Sequence, residues 1–211
     1  MRKKRAQDSF LRNVSGVIHV GANIGQEIDL YENFGLDVVW VEPIPDVFEK
    51  LIKNLTDHPK QRAFKHLLTE VDDKEVEFKI TNNGVSSSIL DLGKHIEIWP
   101  DVHYEKSIFL KSTTLPTLLK RENIDIKKYQ ALVMDTQGSE LLILKGAEDL
   151  LKNFLYIKTE APDFESYVGC CLIEDISIYL ASFGFREISR TKFAQSKEGG
   201  SYYDVVYERN L

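Results

Sequence analysis

Three acidic residues close short apolar runs: Glu42 ends "LDVVWVE", Asp135 ends "ALVMD" and Glu160 ends "FLYIKTE". A carboxylate at the end of a buried strand can receive the two hydroxyls of a ribose, hold the amino group of a cofactor, take a proton from a substrate hydroxyl or share a divalent metal. Glu42 follows Gly25 by 17 residues, the interval at which an acid meets the ribose in dinucleotide-binding and related folds. Gly21 and Gly25 bracket Ala22-Asn23-Ile24. Glycine lets the backbone approach a ligand, and Asn23 stands in for a further glycine because asparagine tolerates left-handed geometry. Asp135 and Glu160 are candidate catalytic groups and the expected ligands of a Mg²⁺ ion, with capping of the following turn as the structural alternative for Asp135. His95 and His103 lie in a stretch without clear periodicity and offer neutral imidazoles as bases; the catalytic set is taken as Asp135, Glu160 and His103. His19, inside a strand, reads as a packed core residue beside the glycine loop.

The elements that position these groups alternate. Val17–Val20 is a buried strand, Gln26–Phe34 a helix stopped by Gly35, "LDVVWVEP" a second strand, and Asp46–Leu55 a helix with Val47, Phe48, Leu51, Ile52 and Leu55 at helical spacing. Such strand-helix alternation predicts a parallel sheet covered by helices. "RAFKHLL" follows as a third strand and "KEVEFKI" as a half-exposed one, ended by the turn Asn82-Asn83-Gly84. From there to about Lys111 no element is assigned, which makes that stretch a candidate lid. Pro116 opens a helix, "ALVMD" is a strand, and "SELLILKGAEDLLKN" is a helix with Leu141, Leu142, Leu144, Ala147 and Leu151 inward. "FLYIKTE" and "IEDISIYLASFGF" supply the next strand and helix. The chain then ends on two strand-like runs, "FREISR" and "SYYDVVYE", joined by 192–200, which predicts an antiparallel edge pair.

Composition narrows the class. A chain of 211 residues, 43% hydrophobic, is the right size for one core. Residues 1–13 are expected to be a basic and polar tail, and 14–211 a single domain. The net charge of −6 argues against nucleic acid as a main partner, and no apolar run reaches membrane-spanning length. Cys170 and Cys171 are adjacent, poorly placed for an ordinary disulfide and too few for a structural zinc. They read as core residues in a protein of the reducing cytoplasm.

In order along the chain, "VIHVGANIGQEIDLY", "WVEPIPDVFEKL", "NNGVSSSIL", "STTLPTLL", "VMDTQGSELLILKGAEDLL", "IKTEAPDFESYVG", "YLASFGF" and "YYDVVYERN" resemble the FkbM family of S-adenosylmethionine-dependent methyltransferases. The resemblance implies a class I methyltransferase fold: an α/β, Rossmann-like, mostly parallel sheet of seven strands with an antiparallel last strand and helices on both faces. It implies O-methylation of a sugar, glycan or related natural-product hydroxyl. The cofactor-binding set becomes Gly21, Ala22, Asn23, Gly25, Gln26, Glu42, Pro43, Ser87 and Asp135, with Ser86 to Ser88 bordering cofactor or acceptor. Two positions depart from the family pattern. His19 replaces an acid common in class I methyltransferases, and Val133 stands where a lysine is often found, so that lysine's role is absent or relocated. A nicotinamide-dependent oxidoreductase is disfavoured because the turn is G-A-N-I-G rather than G-x-G-x-x-G. A catalytically silent cofactor-binding module stays open as the alternative. The acceptor's identity and the oligomeric state are not encoded in any motif.

Overall fold

In the computed structural model, which describes residues 7–197 and 199–210, ten strands form two sheets. The larger has seven strands in the order β3-β2-β1-β7-β8-β10-β9. These are β1 (Gly16–Val20), β2 (Asp37–Val41), β3 (Gln61–Phe64), β7 (Ala131–Met134), β8 (Tyr156–Pro162), β9 (Phe185–Gln195) and β10 (Ser201–Arg209). The smaller contains β4 (Leu67–Leu68), β5 (Glu75–Thr81) and β6 (Tyr104–Thr113), in the order β4-β6-β5. β1, β2, β3, β7 and β8 are parallel, and β10 runs antiparallel to both of its neighbours. This is the expected class I methyltransferase architecture, and the expected antiparallel edge pair is present as β10 and β9, with β10 inserted between β8 and the edge strand β9.

The helices are α1 (Ile28–Asn33), α2 (Pro45–Asn54), α3 (His95–Ile98), α4 (Leu115–Arg121), α5 (Glu140–Gly146) and α6 (Ile173–Ala181). Strand alternation divides the core in two. Ile18, Val20, Val39, Val41, Leu132 and Met134 pack on one face with Leu118, Leu144 and Leu180. Val17, Val38, Trp40, Ala131 and Val133 pack on the other with Tyr31, Leu51, Phe10 and Leu11. Pro45 opens α2 at a position where its missing N–H costs nothing. Asp175 accepts from the Leu172 N–H ahead of α6 at 2.8 Å.

Several sequence expectations shift. Residues 1–6 of the expected tail lie outside the described residues, whereas Asp8–Asn13 forms a 3-10 helix that buries Phe10 and Leu11 against the sheet. The unassigned stretch to Lys111 is ordered, ending in β6, which pairs antiparallel with β5. Its alternation is broken because 104–107 are all exposed and the solvent-facing Phe109 is apolar. The expected long helix after Ser139 breaks at Gly146, where an added Cβ would sit 2.3 Å from the Thr69 carbonyl oxygen. That break is followed by a 3-10 turn, Glu148–Asn153. Ile143 and Leu144 are the buried apolar residues of α5, while Leu141 and Leu142 are half-buried. Among the described residues no helix is long and apolar enough to cross a membrane.

β1 and β7 are adjacent although the chain visits β2 and β3 between them, so the order reverses here and a crevice opens beyond their carboxyl ends. Gly21, at φ 81°, lies so close to the incoming chain that a Cβ would fall 1.8 Å from the Asp135 carbonyl oxygen. Gly21→Ala is expected to lower stability by about 2–4 kcal/mol in denaturant unfolding; a loss below about 0.5 kcal/mol would contradict this packing.

Candidate active site

The loop after β1 is built from three left-handed residues, Gly21, Asn23 (φ 47°) and Gly25 (φ 82°). Gly21 and Ala22 donate their N–H groups to the Val41 carbonyl at 3.0 and 3.1 Å, which ties the loop to β2. Asn23 does occupy the conformation of a glycine, and its Oδ1 accepts from the Ile24 N–H at 2.7 Å. Glu42 completes the frame. Its Oε2 accepts from the Asn23 N–H at 2.8 Å and its Oε1 from the Ile44 N–H at 2.9 Å. Burial pushes its carboxyl up to about 7, against the pull of those two hydrogen bonds.

Two cavities meet at this crevice. The first is an open cleft of about 780 Å³ free of protein atoms, its open mouth included. Gly21, Asn23, Gln26, Glu42, Pro43, Ser87 and Asp135 all line it, and Ile44, Leu67 and Phe78 give it an apolar wall. Ala22 and Gly25 are buried behind the loop and serve its shape. Of the serine segment only Ser87 reaches this cavity. Ser86 is engaged by His95 Nε2 at 3.0 Å, and Ser88 donates to the Gln137 carbonyl at 2.8 Å. A nucleoside fits this donor set: the apolar wall suits a planar base, the remaining lone pairs of Glu42 suit ribose hydroxyls, and the loop backbone leaves room beside Gly21.

The second cavity lies toward β8 and β10 and shares His19, Gln26, Glu27 and Asp135 with the first. Glu160 and Asp204 face each other in register on β8 and β10 and both line it. Asp135 therefore stands at the seam. Protein packed around its carboxyl, then the charges of Glu140, Glu27 and Asp204, push it up to about 7, while Gln137 Nε2 donates to its Oδ1 at 2.6 Å and opposes the rise. Asp135 itself is exposed at the cleft. Glu160 is raised well above the usual carboxylate range, first by burial and then by Asp135. A second negative charge beside Asp135 is disfavoured, so the two carboxyls do not readily ionise together.

Capping of the loop after β7 falls to Glu140, not to Asp135. Glu140 Oε1 accepts from the N–H groups of Thr136 at 2.8 Å and Gly138 at 3.2 Å, and from the Thr136 hydroxyl at 3.1 Å. Gln137 is held left-handed at φ 55° between them. Cys171 Sγ approaches Glu140 Oε2 at 3.5 Å, and burial raises that thiol, so both cysteines are buried packing residues.

The histidines separate. His103 is exposed before β6, its Nδ1 against the Asp101 carbonyl at 3.0 Å, and it lines neither cavity. His95 is buried against Trp99 and Tyr167, with Nδ1 2.7 Å from the Tyr202 hydroxyl, and burial lowers it to about 4. His19 stacks on Trp40 at 4.8 Å, and its Nδ1 lies 3.0 Å from the Tyr31 hydroxyl. Burial and then Lys158 lower His19 to about 3, so it is a neutral packed ring. The expected Mg²⁺ is not supported: among the described residues no group of three or more His, Cys, Asp or Glu is arranged to hold a metal ion.

Lys158 was not singled out by its sequence pattern. It pairs in register with Val133 and reaches Asp8 at 2.9 Å. Lys158 is thus a cation beside position 133, on the neighbouring strand. Its signal was a lone basic residue inside the apolar run "FLYIKTE".

A family model described as the methyltransferase FkbM domain matches residues 19–187. Among solved structures, the METTL16 MTase domain is similar with a TM-score of 0.57 and 12% identity, covering 99% of this chain and 67% of that one. The methyltransferase domain of bacterial CtHen1-C gives 0.55 and 9%, covering 100% and 97%. Magnesium protoporphyrin IX methyltransferase (ChlM) from Synechocystis PCC 6803 with bound SAM gives 0.52 and 11%, covering 99% and 80%. At these identities the likeness concerns the fold. No curated protein sequence matches the chain.

Glu42→Gln replaces one acceptor oxygen by an NH₂ group and leaves either the Asn23 or the Ile44 amide without an acceptor. S-adenosylhomocysteine is then expected to bind about tenfold or more weakly by calorimetry; unchanged affinity would remove Glu42 from the cofactor floor.

Proposed function

The chain belongs to the FkbM methyltransferase family, and on that premise we propose that it transfers a methyl group from S-adenosylmethionine to a hydroxyl of a sugar or glycan. The observation that carries the reading is the seam itself. Asp135 borders both the cleft suited to a nucleoside and the neighbouring polar cavity, and Glu160 crowds it from the second side.

When bound, S-adenosylmethionine supplies an electrophilic methyl whose C–S bond breaks as the O–C bond to the acceptor forms. The protein's own contribution is alignment, exclusion of water and management of one proton. Glu42 and the apolar wall of Ile44, Leu67 and Phe78 would hold the nucleoside, and the Gly21–Gln26 loop would hold the amino-acid portion. A sugar hydroxyl is a weak nucleophile until its proton leaves. The Asp135–Glu160 pair is suited to take it, because a carboxylate raised toward neutrality is a stronger base than an ordinary one. Gln137 orients Asp135 through Oδ1, and Glu140 fixes the loop that carries both. His103 has no part in this scheme because it lies outside both cavities.

A carboxyl whose pKa is raised toward 7 is protonated below that pH and able to accept a proton above it. The rate kcat/KM is therefore expected to rise with pH through about 7 and then level. Asp135→Asn should lower methyl transfer to glycan acceptors about 100-fold or more, read by mass spectrometry, with S-adenosylhomocysteine affinity nearly retained. Glu160→Gln should displace the pH limb. Unaltered turnover in both variants would sink the carboxylate-base scheme.

A further inference from the structure

A buried phenol outside both cavities reaches the amide that faces the acid pair. Tyr167, in the loop between β8 and α6, is 1% exposed and lines neither cavity. Its hydroxyl lies 2.9 Å from Gln137 Oε1 and 3.1 Å from the Ser86 carbonyl oxygen. Both partners are acceptors, so the single phenolic hydrogen is directed at this pair of oxygens. Burial pushes the phenol far above its ordinary range, which keeps that hydrogen in place. The ring is fixed from two sides: Tyr167 forms an antiparallel bridge with Leu92, and its ring centre is 4.9 Å from that of His95. Gln137 is held at its main chain, where Ser88 donates to its carbonyl at 2.8 Å.

A glutamine amide can turn either its oxygen or its NH₂ toward a neighbour. Oxygen toward an ionised carboxyl sets lone pair against lone pair, so of the two orientations only the one with NH₂ forward serves an ionised acid. That is the orientation found, with Nε2 2.6 Å from Asp135 Oδ1. The same amide acts on Glu160, opposing the rise that burial causes there. An NH₂ group carries two hydrogens, so a single negative charge is received whichever of the two acids holds it. Oε1 then points away from the acids and needs a donor of its own. Among the described residues the Tyr167 hydroxyl supplies it. Resting on the carboxylate-base reading above, we propose that Tyr167 is a positioning residue: by donating to Gln137 Oε1 it holds the Gln137 NH₂ against Asp135 and Glu160. It touches neither cleft and acts only through the amide.

Nuclear magnetic resonance on the full ¹⁵N-labelled chain saturated with S-adenosylhomocysteine reads that amide without requiring turnover. Gln137→Leu identifies its NH₂ pair by removing it. Tyr167→Phe keeps the ring and removes the donor. It is expected to speed exchange of the Gln137 NH₂ hydrogens with water by about five- to tenfold, as for one lost hydrogen bond, with S-adenosylhomocysteine affinity unchanged as the control for folding. Asp135→Asn should shift the Gln137 pair, and by about half as much or less once Tyr167 is Phe, because linked groups are not additive. In turnover of a panel of methyl glycosides, Tyr167→Phe should lower kcat about five- to tenfold with KM nearly constant, and add nothing to Gln137→Leu. Unchanged exchange in Tyr167→Phe, an equal response to Asp135→Asn in both backgrounds, or a loss of kcat that adds in full to that of Gln137→Leu would overturn the proposal. An amide that behaves as expected, in an enzyme whose turnover is indifferent to Asp135→Asn, would uphold the positioning by Tyr167 and refute the carboxylate base.

Discussion

The backbone of Asp135 passes directly against Gly21, and the rest of the site depends on that approach. β1 and β7 are neighbours in the sheet but distant in sequence, and the Asp135 N–H donates to the Val20 carbonyl at 3.0 Å as the two strands end. Only a residue without a Cβ leaves room for the Asp135 carbonyl. Because the contact is backbone on backbone, neighbouring side chains cannot relax to absorb a larger residue. It sets the loop that frames the first cavity beside the acid that opens the second, and so creates the seam where two ligands can meet.

Around that contact the acids divide their work. Glu42 and Glu140 each bind two backbone N–H groups, one pair spanning the first loop and the exit of β2, the other pair within the loop after β7. They hold turns whose left-handed residues, Asn23 and Gln137, would otherwise be strained. Asp135 and Glu160 make no such backbone clamps; Asp204 raises both, and Asp135 raises Glu160 further. The acids that shape the loops are thus distinct from the pair that is suited to move a proton. The difference lies in their partners rather than in the direction of the shift, because burial raises all four carboxyls.

Much of this was legible in the amino-acid order. The β1 loop, Glu42 at ribose spacing and the reversal of the last strand follow from glycine positions, one interval and periodicity, because each rests on local backbone chemistry. Strand-end logic brought Asp135 and Glu160 to one crevice. What escaped the pattern depends on contacts across the fold. Glu140 looked like an ordinary first-turn acid, and its grip on Thr136 and Gly138 shows only once the loop is folded. Lys158 gains its meaning from register with Val133 and from Asp8, which is 150 residues away in sequence. His95 and His103 were indistinguishable in an aperiodic stretch, yet one is packed among aromatic rings and the other is at the surface. The split of the helix after Ser139 comes from the approach of Thr69 to Gly146, a tertiary cause with no local signature.

A structure of the chain co-crystallised with S-adenosylhomocysteine addresses the seam most directly. The account predicts the nucleoside between Glu42 and the Ile44–Leu67–Phe78 wall, with the sulfur directed past Gly21 toward Asp135 and the second cavity. A ligand bound with its sulfur facing away from Asp135, or held outside the cleft framed by Gly21 and Glu42, would contradict it.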